Sequence, residues 1–253
     1  MKAMILAAGL GTRLRPLTND RPKALVELNG RTLLEITLTR LRSFGVPEVI
    51  VNVHHHAQMV VDYLQSKDNF GMRIEISREE GQLLDTGGGL KKASWFFVED
   101  ANRRDEPFFL HNVDVISSID LAAMLQFHVE RHALATLAVQ TRESSRQLLF
   151  NDRLQLSGRA PDPYSSLATD HSPLPPSRNP SSLIPLAFSG IHVLSPRLLP
   201  LLTESAPVFS IIDSYLRLAS RGEKILAFRH DSSYWRDLGK PADLAQAALD
   251  LNQ

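Results

Sequence analysis

The chain has 253 residues, of which 28 are Lys or Arg and 28 are Asp or Glu, so its zero formal charge gives no overall attraction to nucleic acid or to an anionic membrane. Hydrophobic residues make up 43% of the sequence, which excludes wholesale disorder, and no uncharged apolar run approaches the ~20 residues of a membrane span. Cysteine is absent, which excludes disulfides and thiolate sites, and the apolar run at the start is too short for a secretory signal, so we expect a cytoplasmic protein.

Short apolar runs alternate with amphipathic stretches over the first 140 residues. The apolar runs predict strands at residues 3–8, 48–53, 73–77, 107–112 and 135–140. The stretches between them predict a helix from Thr32 to near Gly45, opened by a capping box, and helices at 57–65, 89–97 and 120–131, the last with Asp120 as N-cap. This alternation indicates βαβ units, and hence an α/β fold with a mostly parallel sheet and helices on both faces.

The composition changes after Leu156. Residues 157–185 are rich in Pro and Ser and poor in large apolar residues, which predicts a long excursion or lid rather than a second core. Regular patterning then predicts a strand at 186–194, a helix at 211–220, a strand at 224–229 and a closing helix at 241–251 with Pro in its first turn. We therefore expect one domain over residues 1–253, interrupted by the excursion.

The first strand runs into the loop Leu6-Ala7-Ala8-Gly9-Leu10-Gly11-Thr12-Arg13-Leu14-Arg15-Pro16. Backbone N–H groups in such a loop can cradle phosphate, and Arg13 adds a forked positive charge. The loop is neither the dinucleotide fingerprint, since Leu14 replaces its third glycine, nor a Walker loop, since no Gly-Lys-Ser/Thr ends it. On the glycines alone, an ordinary turn with surface arginines explains the pattern equally well. Lys23, fixed beside Pro22, could neutralise charge on a phosphoryl group.

Taken together, the stretch from Leu6 to Thr18 and the following Pro22-Lys23-Ala24-Leu25 resemble the signature of sugar-phosphate nucleotidyltransferases. Members join a nucleoside triphosphate to a sugar-1-phosphate and release pyrophosphate. The resemblance implies these two partners and a Rossmann-like fold of the nucleotide-diphospho-sugar transferase type. It implies that Arg13 binds the departing phosphates, that Lys23 contacts the reacting ones, and that the base and phosphates are held by Ala7, Ala8, Gly9, Gly11 and Thr12.

A second glycine-rich segment, Leu83-Leu84-Asp85-Thr86-Gly87-Gly88-Gly89, matches the part of the family pattern that packs against nucleobase and ribose. Glycines that open a helix leave room for a flat ring and bare N–H groups for its edge. Gly87 and Gly88 are therefore predicted to contact the nucleotide, with Gln82 at the base edge. Without the first motif, a flexible loop with a helix start would be the simpler interpretation.

Two further matches imply Mg²⁺ as the cofactor. Phe108-Phe109-Leu110-His111-Asn112-Val113-Asp114 resembles the family strand that ends in a magnesium-binding aspartate, with Val113 in place of the usual glycine. Trp235-Arg236-Asp237-Leu238-Gly239 resembles the late Trp-x-Asp-x-Gly segment. The resemblance makes Asp114 and Asp237 the metal ligands, with phosphate oxygens and water completing the octahedron. Taken singly, Asp114 would be a turn residue and Asp237 a surface residue.

The acceptor side is predicted at Asn112, Ser189 and Gly190, because residues 186–191 resemble the family strand that meets the sugar phosphate. Phe188-Ser189-Gly190-Ile191 is close to the form in N-acetylmuramate-1-phosphate uridylyltransferases, which favours UTP as the donor. Mannose-1-phosphate and heptose-1-phosphate guanylyltransferases and phosphocholine cytidylyltransferases share most of the motifs. A catalytically silent nucleotide-sugar sensor is the alternative of another class.

Three other features have simpler interpretations. His54, His55 and His56 follow the second strand, and adjacent side chains cannot easily face one metal, so a sugar contact is favoured over a metal site. The mixed charges of Arg142, Glu143 and Arg146 predict a solvated edge. Residues 95–97, Trp-Phe-Phe, are predicted to join the core rather than stack on a base.

Overall fold

The computed structural model describes residues 1–161 and 183–251. Its strands are β1 (Lys2–Leu6), β2 (Glu27–Leu28), β3 (Arg31–Thr32), β4 (Glu48–Val53), β5 (Arg73–Arg78), β6 (Phe108–Asn112), β7 (Val115–Ser117), β8 (Ala135–Gln140), β9 (Gln147–Phe150), β10 (Leu156–Arg159), β11 (Ile184–Leu194), β12 (Ile225–Arg229) and β13 (Trp235–Asp237). Its α-helices are α1 (Leu33–Ser43), α2 (Ala57–Ser66), α3 (Asp85–Ala93), α4 (Trp95–Val98), α5 (Leu121–Glu130), α6 (Ile211–Ser220) and α7 (Pro241–Asp250).

Nine strands within the described ranges form one mixed sheet. The path runs β10-β9-β11-β6-β1-β4-β5, while β8 pairs with β11 and β12 pairs with β8. Strands β6, β1, β4 and β5 are mutually parallel, as are β8 and β12. Strand β11 is antiparallel to β6, β8 and β9, which makes the sheet mixed. The predicted α/β fold with a mostly parallel sheet is confirmed.

Helices cover both faces of the sheet because side chains of each strand alternate between them. Ala3 and Ile5 of β1 pack into one buried cluster, to which α1, α2 and α5 contribute. Met4 of the same strand packs into a second cluster, to which α3, α4 and α6 contribute. Each face thus carries its own apolar layer. No helix in the described ranges combines the length and the apolar character needed to cross a membrane.

Both predicted N-cap residues are confirmed, although the Glu35 carboxylate of the predicted capping box accepts from Arg31 and Tyr63. The Thr32 hydroxyl accepts from the Glu35 N–H at 3.1 Å, and the Asp120 carboxylate accepts from the Ala123 N–H at 3.0 Å. The helix predicted at 89–97 begins earlier, at Asp85, and is divided at Ser94 into α3 and α4. The prediction of a core role holds for Phe96 and Phe97, whereas Trp95 is 46% exposed.

The predicted excursion at 157–185 is wrong at both ends. Residues 157–159 belong to β10 and residues 184–185 to β11, so the ends pair in the sheet instead of leaving it. Strand β9 lies at this edge as well, and its Leu148 and Phe150 are buried against the second cluster. The centre of the predicted excursion, residues 162–182, lies outside the described residues.

Candidate active site

A cleft of about 290 Å³ lies at the carboxyl ends of β1, β4 and β6. These strands are parallel and in register, so that Leu6 is level with Asn52 on one side and with Asn112 on the other. All three residues line the cleft, which agrees with the rule that α/β sheets bind ligands at this edge. Predicted site residues that also line it are Ala7, Ala8, Gly9, Gly11, Thr12, Arg13, Lys23 and Asp114.

The glycine loop is folded tightly against the segment that carries Lys23. Gly11 has a φ of +64°, and a Cβ there would lie 3.0 Å from the Thr18 methyl and 3.2 Å from the Lys23 Cβ. The Thr18 hydroxyl donates to the Gly11 carbonyl at 2.8 Å, and Leu14 anchors the loop in the core. Gly11 is therefore required both by its backbone conformation and by the close approach of Lys23.

Lys23 and Asp114 form an ion pair inside the cleft. Lys23 Nζ donates to Asp114 Oδ2, and their side chains are only 10% and 17% exposed. Asp114 follows β6 directly, at the strand tip that faces the cleft. Lys23 is thus a largely buried positive charge that the Asp114 carboxylate holds inside the cleft.

The pairing of β13 with β7 brings Asp237 close to Lys23 and Asp114. Asp237 lies opposite Val115, and the Leu238 N–H donates to the Asp114 carbonyl at 2.8 Å. Burial, and next the negative charge of Asp114, raise the pKa of the Asp237 carboxyl, which Lys23 and Arg13 offset only in part. Two carboxylates from segments more than 100 residues apart thus lie close enough to repel each other.

Gly239 allows Arg13 to join this group. A Cβ on Gly239 would lie 2.7 Å from both Arg13 Nη2 and Asp237 Oδ1, so that a side chain there would displace one of them. The Gly239 N–H donates to Asp237 Oδ1 at 2.7 Å. Arg13 itself is exposed at the mouth of the cleft. The structure therefore brings together all four predicted catalytic and metal-binding residues: Arg13, Lys23, Asp114 and Asp237.

The carboxylate oxygens of Asp114 and Asp237 are suitable ligands for Mg²⁺. Carboxylate oxygens are its preferred protein ligands, and it is commonly held by one or two carboxylates together with substrate phosphates. Within residues 1–161 and 183–251, no group of three or more His, Cys, Asp or Glu side chains is placed to hold a metal without such help. Burial and the charge of Asp114 raise the pKa of the Asp237 carboxyl, and a cation bound between the two carboxylates would lower it.

Gly87 and Gly88, which are predicted to contact the nucleotide, do not line the cleft in this structure. Their N–H groups both donate to the Phe209 carbonyl, at 2.9 and 3.3 Å. A Cβ on Gly87 would clash with the Phe209 ring, and one on Gly88 with the Pro207 carbonyl. The loop before α6 therefore uses the space and the N–H groups that were assigned to a nucleobase. Gln82 is exposed and does not line the cleft, while its neighbours Leu83, Asp85 and Thr86 do.

Asn52 and Glu79 are cleft residues that the motifs did not reveal. Asn52 Oδ1 accepts from the Ala8 N–H at 3.1 Å, so this N–H is not free for phosphate. Asn52 Nδ2 donates to Glu79 Oε1, and Glu79 Oε2 accepts from the Leu84 N–H at 2.7 Å. This buried network ties the first glycine loop to the second. The one available signal was a polar Asn inside the otherwise apolar strand EVIVNV.

Of the predicted sugar contacts, only Asn112 lines the cleft. Gly190 lies behind it, with a φ of +75°, and a Cβ there would be 2.9 Å from Asn112 Nδ2. Ser189 is fully buried, its hydroxyl is hydrogen-bonded to His230 Nε2 at 2.8 Å, and its carbonyl accepts from Trp235 Nε1 at 2.8 Å. In this structure Ser189 and Gly190 support the cleft wall from behind, and direct sugar binding by them stays a prediction.

Three other features singled out in the sequence make specific local contacts. His54 Nδ1 is hydrogen-bonded to the Glu79 carbonyl at 2.7 Å, and the His55 ring packs against His56. Val113, which stands where the family has glycine, is buried in the core, and its N–H donates to the Leu6 carbonyl at 3.2 Å. Arg142 is not part of a solvated edge: it is half-buried and lies over the Trp235 ring.

Comparison with known proteins gives concordant matches. The family model for nucleotidyl transferases matches residues 2–148. N-acetylmuramate alpha-1-phosphate uridylyltransferase of Caulobacter vibrioides is 35% identical over 97% of this chain and 95% of its own length. Mannose-1-phosphate guanyltransferase of Yarrowia lipolytica is 29% identical over 96% of this chain, which spans 62% of that relative's length.

Solved structures of the same fold cover nearly the whole chain. HddC from Yersinia pseudotuberculosis complexed with GMP-PN matches with a TM-score of 0.73 and 20% identity, over 99% of both chains. UDP-glucose pyrophosphorylase complexed with UDP-glucose matches with a TM-score of 0.76 and 18% identity, over 99% of this chain and 98% of that one. At these identities the likeness establishes the fold, and it agrees with the nucleotide-diphospho-sugar transferase type expected from the motifs.

Proposed function

The chain belongs to the nucleotidyl transferase family of sugar-phosphate nucleotidyltransferases, and on that premise we propose that it transfers UMP from UTP to a sugar-1-phosphate, releasing pyrophosphate. The observation that carries the proposal is that Arg13, Lys23 and Asp114 line one cleft, with Asp237 next to them just outside its lining. The preference for UTP and an N-acetylated sugar is supported by the relative from Caulobacter vibrioides, which is named for that reaction.

The proposed reaction is a single in-line displacement. An oxygen of the acceptor phosphate forms a bond to the α-phosphorus of the triphosphate, and the bond from that phosphorus to the bridging oxygen breaks, so that its electrons leave with pyrophosphate. The nucleophile is already anionic and no general base is required. The main barrier is repulsion between two polyanions, and the site must supply positive charge and fixed geometry.

The side chains at the cleft provide the positive charge and the fixed geometry. Lys23, largely buried against Asp114, places a positive charge beside the reacting phosphates. Arg13, at the mouth next to Gly239, presents a fork of donors to the departing pyrophosphate. Asp114 and Asp237 would hold Mg²⁺, which supplies further neutralisation of the phosphoryl oxygens when bound.

The second candidate is a guanylyltransferase that acts on a hexose-1-phosphate. It is favoured by the relative named mannose-1-phosphate guanyltransferase, which aligns with 96% of this chain. The residues that neutralise phosphate are expected to be common to both reactions, so the choice depends on the base and on the sugar.

A panel of substrates separates the candidates. We expect pyrophosphate release in the presence of Mg²⁺ to be at least about tenfold faster with UTP than with GTP, CTP or ATP, since base-edge hydrogen bonds discriminate strongly. The acceptors to compare are the 1-phosphates of N-acetylmuramate, N-acetylglucosamine, glucose and mannose, together with phosphocholine. Fastest turnover of GTP with mannose-1-phosphate would establish the second candidate. Nucleotide binding without pyrophosphate release from any pair would identify a silent sensor.

A further inference from the structure

Arg142 is a partly buried cation to which the proposed reaction gives no role. It is the second residue after β8, and its guanidinium carbon lies 3.8 Å from the centroid of the Trp235 ring. Its Nη2 donates to the Phe188 carbonyl at 2.7 Å. Its Nε is buried and has no hydrogen-bond partner. A buried donor without a partner is costly, and a ligand that accepts a hydrogen bond from it would remove that cost.

Arg142 lies on the same side of β13 as the proposed metal ligand. Trp235 and Asp237 are two residues apart in this strand, so that their side chains project from the same face. Two residues of a strand span about 6.6 Å, which is close to the width of one sugar ring. Burial lowers the pKa of the Arg142 guanidinium, and the charge of Asp237 partly offsets that effect, in agreement with their proximity.

The contacts of Arg142 leave it able to bind one more anionic group. A guanidinium has five N–H donors in one plane, and stacking on an aromatic ring occupies its face and leaves the edge available. The bond to Phe188 uses one donor of Nη2 and fixes the orientation of the plane. Such a preorganised fork matches the two oxygens of a carboxylate.

The acceptor phosphate is not the anion that this position fits. That phosphate must reach the nucleotide beside Lys23 and Asp114, which line the cleft, whereas Arg142 does not line it. A second anionic group, about one sugar ring away from the reacting phosphate, suits the geometry better. Among the acceptors considered above, N-acetylmuramate carries such a group, the carboxylate of its lactyl ether.

We propose that Arg142 is a specificity-determining residue that binds a carboxylate carried on the sugar of the acceptor. This inference rests on the proposed function, and it specifies a substrate class within it: sugar-1-phosphates that bear a carboxylate. Trp235 and the Phe188 carbonyl hold the guanidinium in place for this contact.

The test is a double-mutant-type cycle that removes the Arg142 guanidinium and the carboxylate of the acceptor separately. Steady-state rates are measured with UTP and three acceptors: N-acetylmuramate-1-phosphate, its carboxamide derivative, and N-acetylglucosamine-1-phosphate. For wild type, we expect kcat/KM to be about 10–100-fold higher for the carboxylate than for the carboxamide, mainly through KM. In Arg142→Gln this ratio should fall to near one, and Arg142→Lys, which keeps the charge but not the fork, should retain an intermediate ratio.

Arg146→Gln is the matched control, because Arg146 is an exposed arginine in the same segment, and its ratio should equal that of wild type. An equal loss with all three acceptors in Arg142→Gln, or a wild-type ratio near one, would overturn the assignment while leaving the proposed function standing. The comparison of the carboxylate with the carboxamide acceptor uses the wild-type protein. It therefore tests the inference even if Arg142→Gln fails to fold. Absence of pyrophosphate release by wild type with every acceptor would instead refute the proposed function.

Discussion

Asp114→Asn is expected to lower kcat/KM by about 10²–10³ or more while the fold is retained. Asparagine has nearly the same shape, so the change removes the negative charge that pairs with Lys23 and that would bind Mg²⁺ beside Asp237. The same loss should appear as a higher Mg²⁺ concentration for half-maximal rate. Pyrophosphate release as a function of Mg²⁺ measures both effects.

Asp105→Asn provides the control for this variant. Asp105 is exposed and precedes β6, whereas Asp114 follows it, so the two aspartates lie toward opposite ends of this strand. We expect Asp105→Asn to match wild type in rate and in thermal unfolding. If Asp114→Asn turned over at a near-normal rate with an unchanged Mg²⁺ requirement, Asp114 would not be a metal ligand.

Lys23→Ala is expected to lower kcat/KM by a similar factor of about 10²–10³. The lysine side chain is 10% exposed and is paired with Asp114. Because the surroundings are largely shielded from water, the loss of this charge beside the reacting phosphates is poorly compensated by solvent. Because the charge acts on phosphates that gain charge during the reaction, the loss should appear in kcat more than in the KM for UTP. Single-turnover measurement of UMP transfer separates this step from product release.

The control for the lysine is Lys224→Ala. Lys224 is exposed and precedes β12, so it lies away from the carboxyl ends of the strands, where the cleft opens. We expect the Lys224→Ala variant to react at the wild-type rate. Near-normal single-turnover rates in Lys23→Ala would remove Lys23 from the reaction. Thermal unfolding of both variants checks that the loss of the Lys23–Asp114 ion pair has not unfolded the protein.

The sequence predicted the sheet and the charged centre of the site because both depend on local signals. Strand β4, strand β8 and helix α6 have the predicted bounds, since each is an uninterrupted periodic run. Asp114 directly follows a buried strand, and parallel strands expose their carboxyl ends at one edge, so its place near the glycine loop could be inferred before the structure was known.

Sequence patterns are least informative where the partner of a residue is distant in sequence. The N–H groups of Gly87 and Gly88 looked free because their acceptor, the Phe209 carbonyl, is more than 100 residues away. Ser189 is predicted as a sugar contact from the resemblance of residues 186–191 to a family strand, and its partner His230 follows 41 residues later. Arg142 resembled a surface charge because Trp235 lies on another strand. Periodicity carries no information on such pairs, which are fixed only by tertiary packing.

The most direct test of the central claim is the position of a divalent cation in the nucleotide complex. Crystals grown with Mn²⁺ and UTP would reveal the metal by its anomalous scattering. We predict one strong peak at about 2.1 Å from carboxylate oxygens of both Asp114 and Asp237, in contact with phosphate oxygens and next to Lys23. A peak bound to neither aspartate, with the triphosphate ordered in the cleft, would contradict the account.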